Sequence, residues 1–271
     1  MKILLSLFLF TNTYAQTYRL NQKSPPTFEA GIGIANANLP AYSGAKERRK
    51  LTLPFPSFVY RGDTLRADED GGLRGRLFKS DRVEINTSFS FSFPVDSENI
   101  EAREGMDDLD ALFEVGPGVI IKLIPKKENS RFTLSLNLAT RAAFTTDLNL
   151  TRAQGVSLNP LLFAWTQLSD KTTMFNGLSV NFASQKLHAH FYDVAPQFAT
   201  ATRSQYTSEA GFFSTNLSTF FIFNTDSRWS FFTGAFYENH KGAANTDSPL
   251  HLRDENFSTI VGMTYWFYRS K

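Results

Sequence analysis

Apolar and polar residues alternate with a period of two along most of this chain. In the last arm, Phe257, Val261, Met263, Tyr265 and Phe267 share one face with Thr259. Ser258, Ile260, Gly262, Thr264, Trp266 and Tyr268 share the other. That period belongs to a strand with one apolar face. Residues 84–94 alternate most strictly, with Ile85, Thr87, Phe89, Phe91 and Phe93 opposite Glu84, Asn86, Ser88, Ser90 and Ser92. The second face is too polar for a sandwich core and suits a hydrated or hydrogen-bonded lumen.

The same pattern predicts strands at residues 28–35, 51–60, 84–94, 109–123, 131–144, 156–168, 172–182, 211–223, 228–237 and 257–267. Residues 64–80 are weaker and divide at Asp68–Gly72. Pro54 and Pro56 lack ladder donors, so an irregular or bulged strand is expected there. Leu109, Ala111, Phe113, Val115, Val119, Ile121 and Leu123 are assigned outward, with Asp110, Glu114 and Lys122 opposite. Phe132, Leu134, Leu136, Leu138 and Phe144 are assigned outward, and Arg131, Ser135, Asn137 and Arg141 inward. Residues 36–50, 96–108, 186–207 and 238–255 read as loops.

Parity sets the strand count. In bacterial outer-membrane barrels the periplasmic turns are short and the extracellular loops long. Counting back from the C-terminus places 238–255, 186–207 and 96–108 outside, and 224–227, 169–171, 125–130 and 80–82 inside. The loop at 36–50 is also outside only if 64–80 forms two short strands. The prediction is an all-β, antiparallel transmembrane barrel of twelve strands, with ten as the alternative.

The N-terminus reads as an address. Lys2 is followed by the apolar run Ile3 to Phe10, and Thr13-Tyr14-Ala15 resembles a signal-peptidase site, with Gln16 as the new N-terminus. The run is shorter than the roughly 20 residues of a spanning helix. Residues 1–15 are therefore assigned as signal peptide and 16–271 as the barrel. Export followed by alternating strands places the chain in a Gram-negative cell outer membrane, because only a closed barrel satisfies every strand hydrogen bond in lipid.

Composition narrows the chemistry. Charged residues are 20% and the formal net charge is +2, which carries no nucleic-acid footprint. With no Cys there is no disulfide, thiol catalysis, Cys-ligated metal or lipoprotein anchor.

Several short pieces, in order, resemble the MipA/OmpV family of outer-membrane proteins. They are Pro40-Ala41-Tyr42-Ser43-Gly44, Leu51-Thr52-Leu53-Pro54, Tyr60-Arg61-Gly62-Asp63, Ser80-Asp81-Arg82, and Gly105-Met106-Asp107-Asp108-Leu109-Asp110 with Glu114. Phe191-Tyr192-Asp193-Val194 and Asp247-Ser248-Pro249-Leu250 follow. Asp193 departs from the Gly usual in the family after Phe-Tyr, and Tyr268-Arg269-Ser270-Lys271 extends past the terminal aromatic Phe267. The resemblance implies a non-enzymatic scaffold linking a lytic transglycosylase and a murein synthase at the outer membrane. The alternative is a small channel or a surface-exposed binding or adhesion protein; a barrel hydrolase ranks third.

Candidate chemical residues are few. His188 and His190, near Asp193, would point to one face of a strand as a metal pair or a base, but spacing offers no third ligand. His240 and His251 flank the last loop and read as solvated. The acidic run Glu98 to Asp110 is a cation site only if its carboxylates converge; a solvated loop is the simpler reading, and Asp107, Asp108 and Asp110 equally suit a role in loop folding. Arg131, Arg141 and Arg152 with Asp110 and Glu114 are expected to form a lumen charge network in a narrow barrel. Lys46 to Lys50 offers cations to lipopolysaccharide phosphates or simply to water. Gly71-Gly72 is a turn, and Gly31 and Gly33 belong to strand alternation rather than to a phosphate loop. The sequence thus assigns no catalytic, cofactor-binding or metal residues, no cofactor, and as partners only outer-membrane lipid and, by resemblance, the two murein enzymes.

Overall fold

The computed structural model describes residues 26–68, 72–127, 130–146, 151–225 and 228–270. Twelve antiparallel strands close into one barrel. They are β1 (Phe28–Pro40), β2 (Arg48–Arg61), β3 (Leu65–Asp68), β4 (Gly72–Lys79), β5 (Val83–Ser92), β6 (Ala111–Ile124), β7 (Phe132–Thr146), β8 (Thr151–Gln167), β9 (Thr172–Ala183), β10 (Gly211–Asn224), β11 (Trp229–Asn239) and β12 (Glu255–Arg269). Each strand pairs with its neighbours in sequence, and β12 returns to β1. The weak stretch at 64–80 is indeed two strands, β3 and β4. The expected signal peptide 1–15, the lead-in up to residue 25 and parts of three expected turns (69–71, 128–129 and 226–227) lie outside the described residues.

The alternation sorts the wall as its chemistry requires. Leu178, Leu217, Phe257 and Val261 are about half exposed on the outer surface, while Asn86, Ser90, Asn216 and Thr264 are buried inside. An apolar belt around a closed barrel has lipid as its solvent, and here the strand pairing runs around the ring from β1 to β12 and back to β1. Aromatic pairs gather at the end where β1 begins and β12 finishes. Trp229 stands 5.0 Å from Tyr265, and Phe28 stands 6.0 Å from Tyr268 and 6.5 Å from Tyr60. Such rings suit an interfacial girdle, and the short turns at this end make it the periplasmic rim.

Some expectations fail for local reasons. Residues 36–40 and 48–50 belong to β1 and β2, not to a loop, because Ala37 and Leu39 keep the inward alternation going. β7 and β8 likewise run on to Thr146 and from Thr151. Leu109 is not outward: it bridges to Val95 and is buried among loop residues. β2 is not bulged, and its register with β1 is unbroken from Tyr60 to Arg48. Tyr268 faces outward, because a register shift between Ala30 and Gly31 places Phe267 as an extra residue and flips the parity beyond it. The long stretch after β9 is not wholly irregular, since it opens with a helix, α1 (Gln185–Tyr192).

Candidate functional site

The outer loops fold into one cap. Tyr42, fully buried, donates its hydroxyl to Leu250 O at 2.6 Å. Tyr192, at the end of α1, donates to Ser43 O at 3.0 Å, and Ser248 Oγ donates back to Tyr192 O at 2.7 Å. Burial raises the pKa of both phenols above the tyrosine range. Gly44 has φ +83°, and a Cβ there would meet His251 Nδ1 at 2.6 Å, so the loop admits only glycine. Its amide donates to Asn256 Oδ1, and its carbonyl accepts from Leu252 and Arg253.

Two buried arginines pin the remaining loops. Arg103 donates to Ser97 Oγ, Asp107 O and Phe191 O, and its guanidinium lies 5.9 Å from the Tyr42 ring. Arg203 donates to Phe198 O on its own loop and to Ala102 O and Glu104 O on the loop after β5. Most of these acceptors are backbone carbonyls, so the cap is held by main chain rather than by charge pairing. Asp108 Oδ1 accepts from Ser97 N at 2.7 Å, so this carboxylate sets the loop's fold. Asp193 does the same through Ser208 N at 2.7 Å, and its φ of −69° needs no glycine.

The histidines separate. His188 and His190 sit on α1, not on a strand. His188 is buried and stacks on Phe213 at 5.1 Å, while His190 meets the edge of Phe191. His240 is not solvated either. Its Nδ1–H donates to Phe213 O, and its Nε2 lies 3.3 Å from Glu238 Oε2. Burial opposes charge on His240, but the Glu238 carboxylate outweighs it and raises the imidazole's pKa. His251 is lowered by burial against the pull of Asp254. Among the described residues no three His, Asp or Glu side chains form a metal-holding group.

Below the cap lies a chamber of about 180 Å³. One wall is polar: Asn181 donates to Ser214 Oγ, which donates to Glu238 Oε1, and Ser157 donates to Glu114. Phe163 and Phe175 stack at 5.8 Å on the same lining. Phe220 lines it too and stacks on Phe232 at 5.6 Å. The expected charge network forms only in part. Arg141 reaches Ser88 Oγ at 2.9 Å on the wall that carries Glu114, whereas Arg131 and Arg152 are exposed. The larger network went unread. Arg74 holds Asp68 at 2.6 Å and also Glu84, Arg76 holds Glu84 at 3.0 Å, and Arg66 holds Asp68. Arg74, Asp68 and Glu84 are all buried, and the inward parity of Glu84 was the one sequence signal for it.

Four of the motif pieces that carry the resemblance meet in the cap: Tyr42 to Gly44, Asp107 to Leu109, Phe191 to Val194, and Ser248 to Leu250. Among solved structures the chain is similar to OmpT, an outer-membrane protein of Vibrio cholerae, at 9% identity, covering 92% of this chain and 100% of that one with a TM-score of 0.43. It is similar to the NanC porin at 7% identity, covering 86% and 98% with a TM-score of 0.42. An outer-membrane channel from Pseudomonas putida F1 matches at 12% identity, covering 92% and 98% with a TM-score of 0.40. No curated protein matches the sequence. The family model described as MltA-interacting protein MipA matches residues 32–267, and the chain belongs to that family of outer-membrane barrels.

Proposed function

We propose that this protein is a non-catalytic scaffold of the outer membrane that holds a lytic transglycosylase, and with it a murein synthase, against the inner face of the membrane. The family's description names MltA as the partner of its namesake. The observation that favours a scaffold is the obstruction of the barrel. Tyrosine hydroxyls bonded to main-chain carbonyls of neighbouring loops cap the outer mouth, and buried ion pairs line the inner wall across β3, β4 and β5. Such a barrel offers fixed surfaces rather than a wide passage. The short turns at 62–64, 80–82 and 168–171 present the periplasmic surface. Affinity capture from mild-detergent outer membranes, against an unrelated barrel, tests the proposal. Enrichment of a murein hydrolase or synthase supports it, and a folded bait without either overturns it.

The chamber favours a second reading, a small channel or a binding protein for a small molecule. Planar-bilayer recording separates the two. A scaffold gives no steady conductance, and a channel does. The hydrolase reading predicts lipid-ester or peptidase activity that His188→Ala removes, and an inactive wild-type protein ends it.

A further inference from the structure

The outer rim of the barrel concentrates positive charge at one place. Where β2 starts, β11 ends and β12 starts, a pocket of about 180 Å³ is lined by three cations, Lys46, Arg48 and Arg253, and by one carboxylate, Glu255. Tyr237 and Phe257, opposed across the β11–β12 ladder, line it too. Lys46, Arg48, Arg253 and Phe257 are exposed, and the pocket shares no lining residue with the chamber under the cap. It opens on the outside of the barrel.

The cap fixes these cations in place. Gly44 N donates to Asn256 Oδ1 at 2.8 Å, and Asn256 Nδ2 donates to Ala45 O at 3.1 Å, so one buried side chain clamps the first loop just before Lys46. Gly44 O accepts from Arg253 N at 3.0 Å, which draws the last loop to the same point. Arg48 commits two of the five N–H donors of a guanidinium to Asn38, Nε to Oδ1 at 3.1 Å and Nη2 to the carbonyl at 3.2 Å. Asp254 is bonded to His251 Nε2 at 3.1 Å, and Glu47 does not line the pocket, so Glu255 alone opposes the three cations. The net charge of +2 matches a phosphate monoester, which carries roughly −1.5 to −2 near neutral pH. Lysine and arginine recognise that group through charge-assisted hydrogen bonds.

The outward residues change in order from this pocket into the membrane belt. Along the β1–β12 ladder Asn38 pairs with Thr259, Asn36 with Val261 and Ile34 with Met263. All six lie on the outer face by parity, and Asn36 also donates to Thr52 Oγ1 on β2 at 3.0 Å. Charge at the rim therefore gives way to amides and hydroxyls, and these to apolar side chains. A glycolipid that carries phosphate on a sugar above several acyl chains meets the three layers in the same order. A glycerophospholipid has no sugar layer, and its phosphodiester has a single charge.

We infer that this pocket binds the sugar phosphate of an outer-leaflet glycolipid of the lipopolysaccharide type. Lys46, Arg48 and Arg253 hold the phosphate, Asn38 and Thr259 face the sugar, and the acyl chains lie along Ile34, Val261 and Met263. The long loops place this rim in the outer leaflet. The site is remote from the periplasmic turns, so it stands whether or not a murein enzyme binds there.

The test uses the full-length protein, folded and delipidated in detergent. Binding of lipid A is read by native mass spectrometry, with phosphatidylglycerol and inorganic phosphate as competitors. Wild type is expected to keep lipid A against either competitor, and Lys46→Gln/Arg253→Gln to bind it more weakly by about tenfold or more. Arg253→Gln alone leaves the main-chain bond to Gly44 untouched and should fall between the two. Lys186→Gln/Lys241→Gln removes the same charge from exposed positions elsewhere on the cap and should bind as wild type does. Heat-dependent gel mobility confirms that each variant is folded. A loss in Lys46→Gln/Arg253→Gln no greater than in Lys186→Gln/Lys241→Gln overturns the inference. So does displacement of lipid A by an equal concentration of either competitor, or wild-type protein that retains no lipid A.

Discussion

Arg269 Nε donates to Glu29 Oε2 at 3.1 Å, joining residues that stand 240 positions apart. Glu29 is fully buried and also holds Arg61 at 3.0 Å, so one carboxylate ties β12, β1 and β2 together at the barrel seam. Ser270 completes the seam, donating its amide to Phe28 O and accepting from Phe28 N. The residues after Phe267 are thus part of the closure. Glu29→Ala leaves two cations at a buried site, at a cost of about 3 kcal/mol. Urea unfolding in detergent micelles, read by gel mobility, is expected to shift accordingly. Truncation after Phe267 is expected to slow folding into vesicles, and an unchanged rate would show that the tail is dispensable.

The cap gives a graded pair of variants. Tyr42→Phe removes one hydrogen bond to Leu250 O and should cost about 1 kcal/mol. Arg103→Ala removes three donors to two loops and should cost about 2–3 kcal/mol, because hydrogen bonds from a charged donor are the stronger kind. Proteolysis of intact cells reads the difference. Arg103→Ala should expose residues 93–110 to cleavage, and Tyr42→Phe should leave them protected.

Alkali should loosen the cap while the barrel persists. Tyr42 and Tyr192 are buried as neutral phenols, and burial raises both above the ordinary pKa of about 10. Below that value neither the folded nor the open state ionises them, and their contribution is intact. Above it the open cap loses protons that the closed cap keeps, so stability falls as pH rises. Tyrosinate absorbance should therefore rise in two phases, exposed phenols near pH 10 and a late component that Tyr42→Phe diminishes. A single phase near pH 10 would contradict the buried pair.

Inward glycines on the strands make room for lumen phenylalanines. A Cβ on Gly234 would fall 2.4 Å from the Phe220 ring, and its remaining close neighbour is Ile260 at 3.3 Å. Gly234→Ala should destabilise by about 1–3 kcal/mol, the usual cost of overpacking. Because the obstruction is a side chain, Phe220→Ala in the same molecule should relieve most of that added cost. A double mutant that shows the two costs simply adding would place the strain elsewhere.

The fold was legible because one pattern repeats. From Ile85 to Ser92 the inward and outward sets follow from parity alone, and lipid on one side makes that parity strict. The cap was not legible as a structure. Tyr42 and Leu250 meet across 208 positions through a hydroxyl and a main-chain carbonyl, and no local periodicity encodes such a contact. Its only trace was the set of short motif pieces that converge there. Pro54 and Pro56 were read correctly as lacking ladder donors but were given the wrong consequence. Among the described residues β2 pairs with β3 only at Tyr60 and Arg61, so Pro54 and Pro56 interrupt no ladder on that side and β2 stays regular where a bulge was expected.

Export gives the last prediction. Ile3 to Phe10 is too short to cross a bilayer as a helix, and Thr13-Tyr14-Ala15 presents a small residue at the cleavage position. If residues 1–15 are a leader, the protein isolated from outer membranes begins at Gln16, and intact-mass measurement will show the loss. Ala15→Leu should block processing and leave a longer species at the inner membrane. That outcome separates the address from the barrel, because every seam contact described begins at Pro26 or later. A mature chain that still carries Met1 would instead make the first residues part of the folded protein, and the account of its export would have to change.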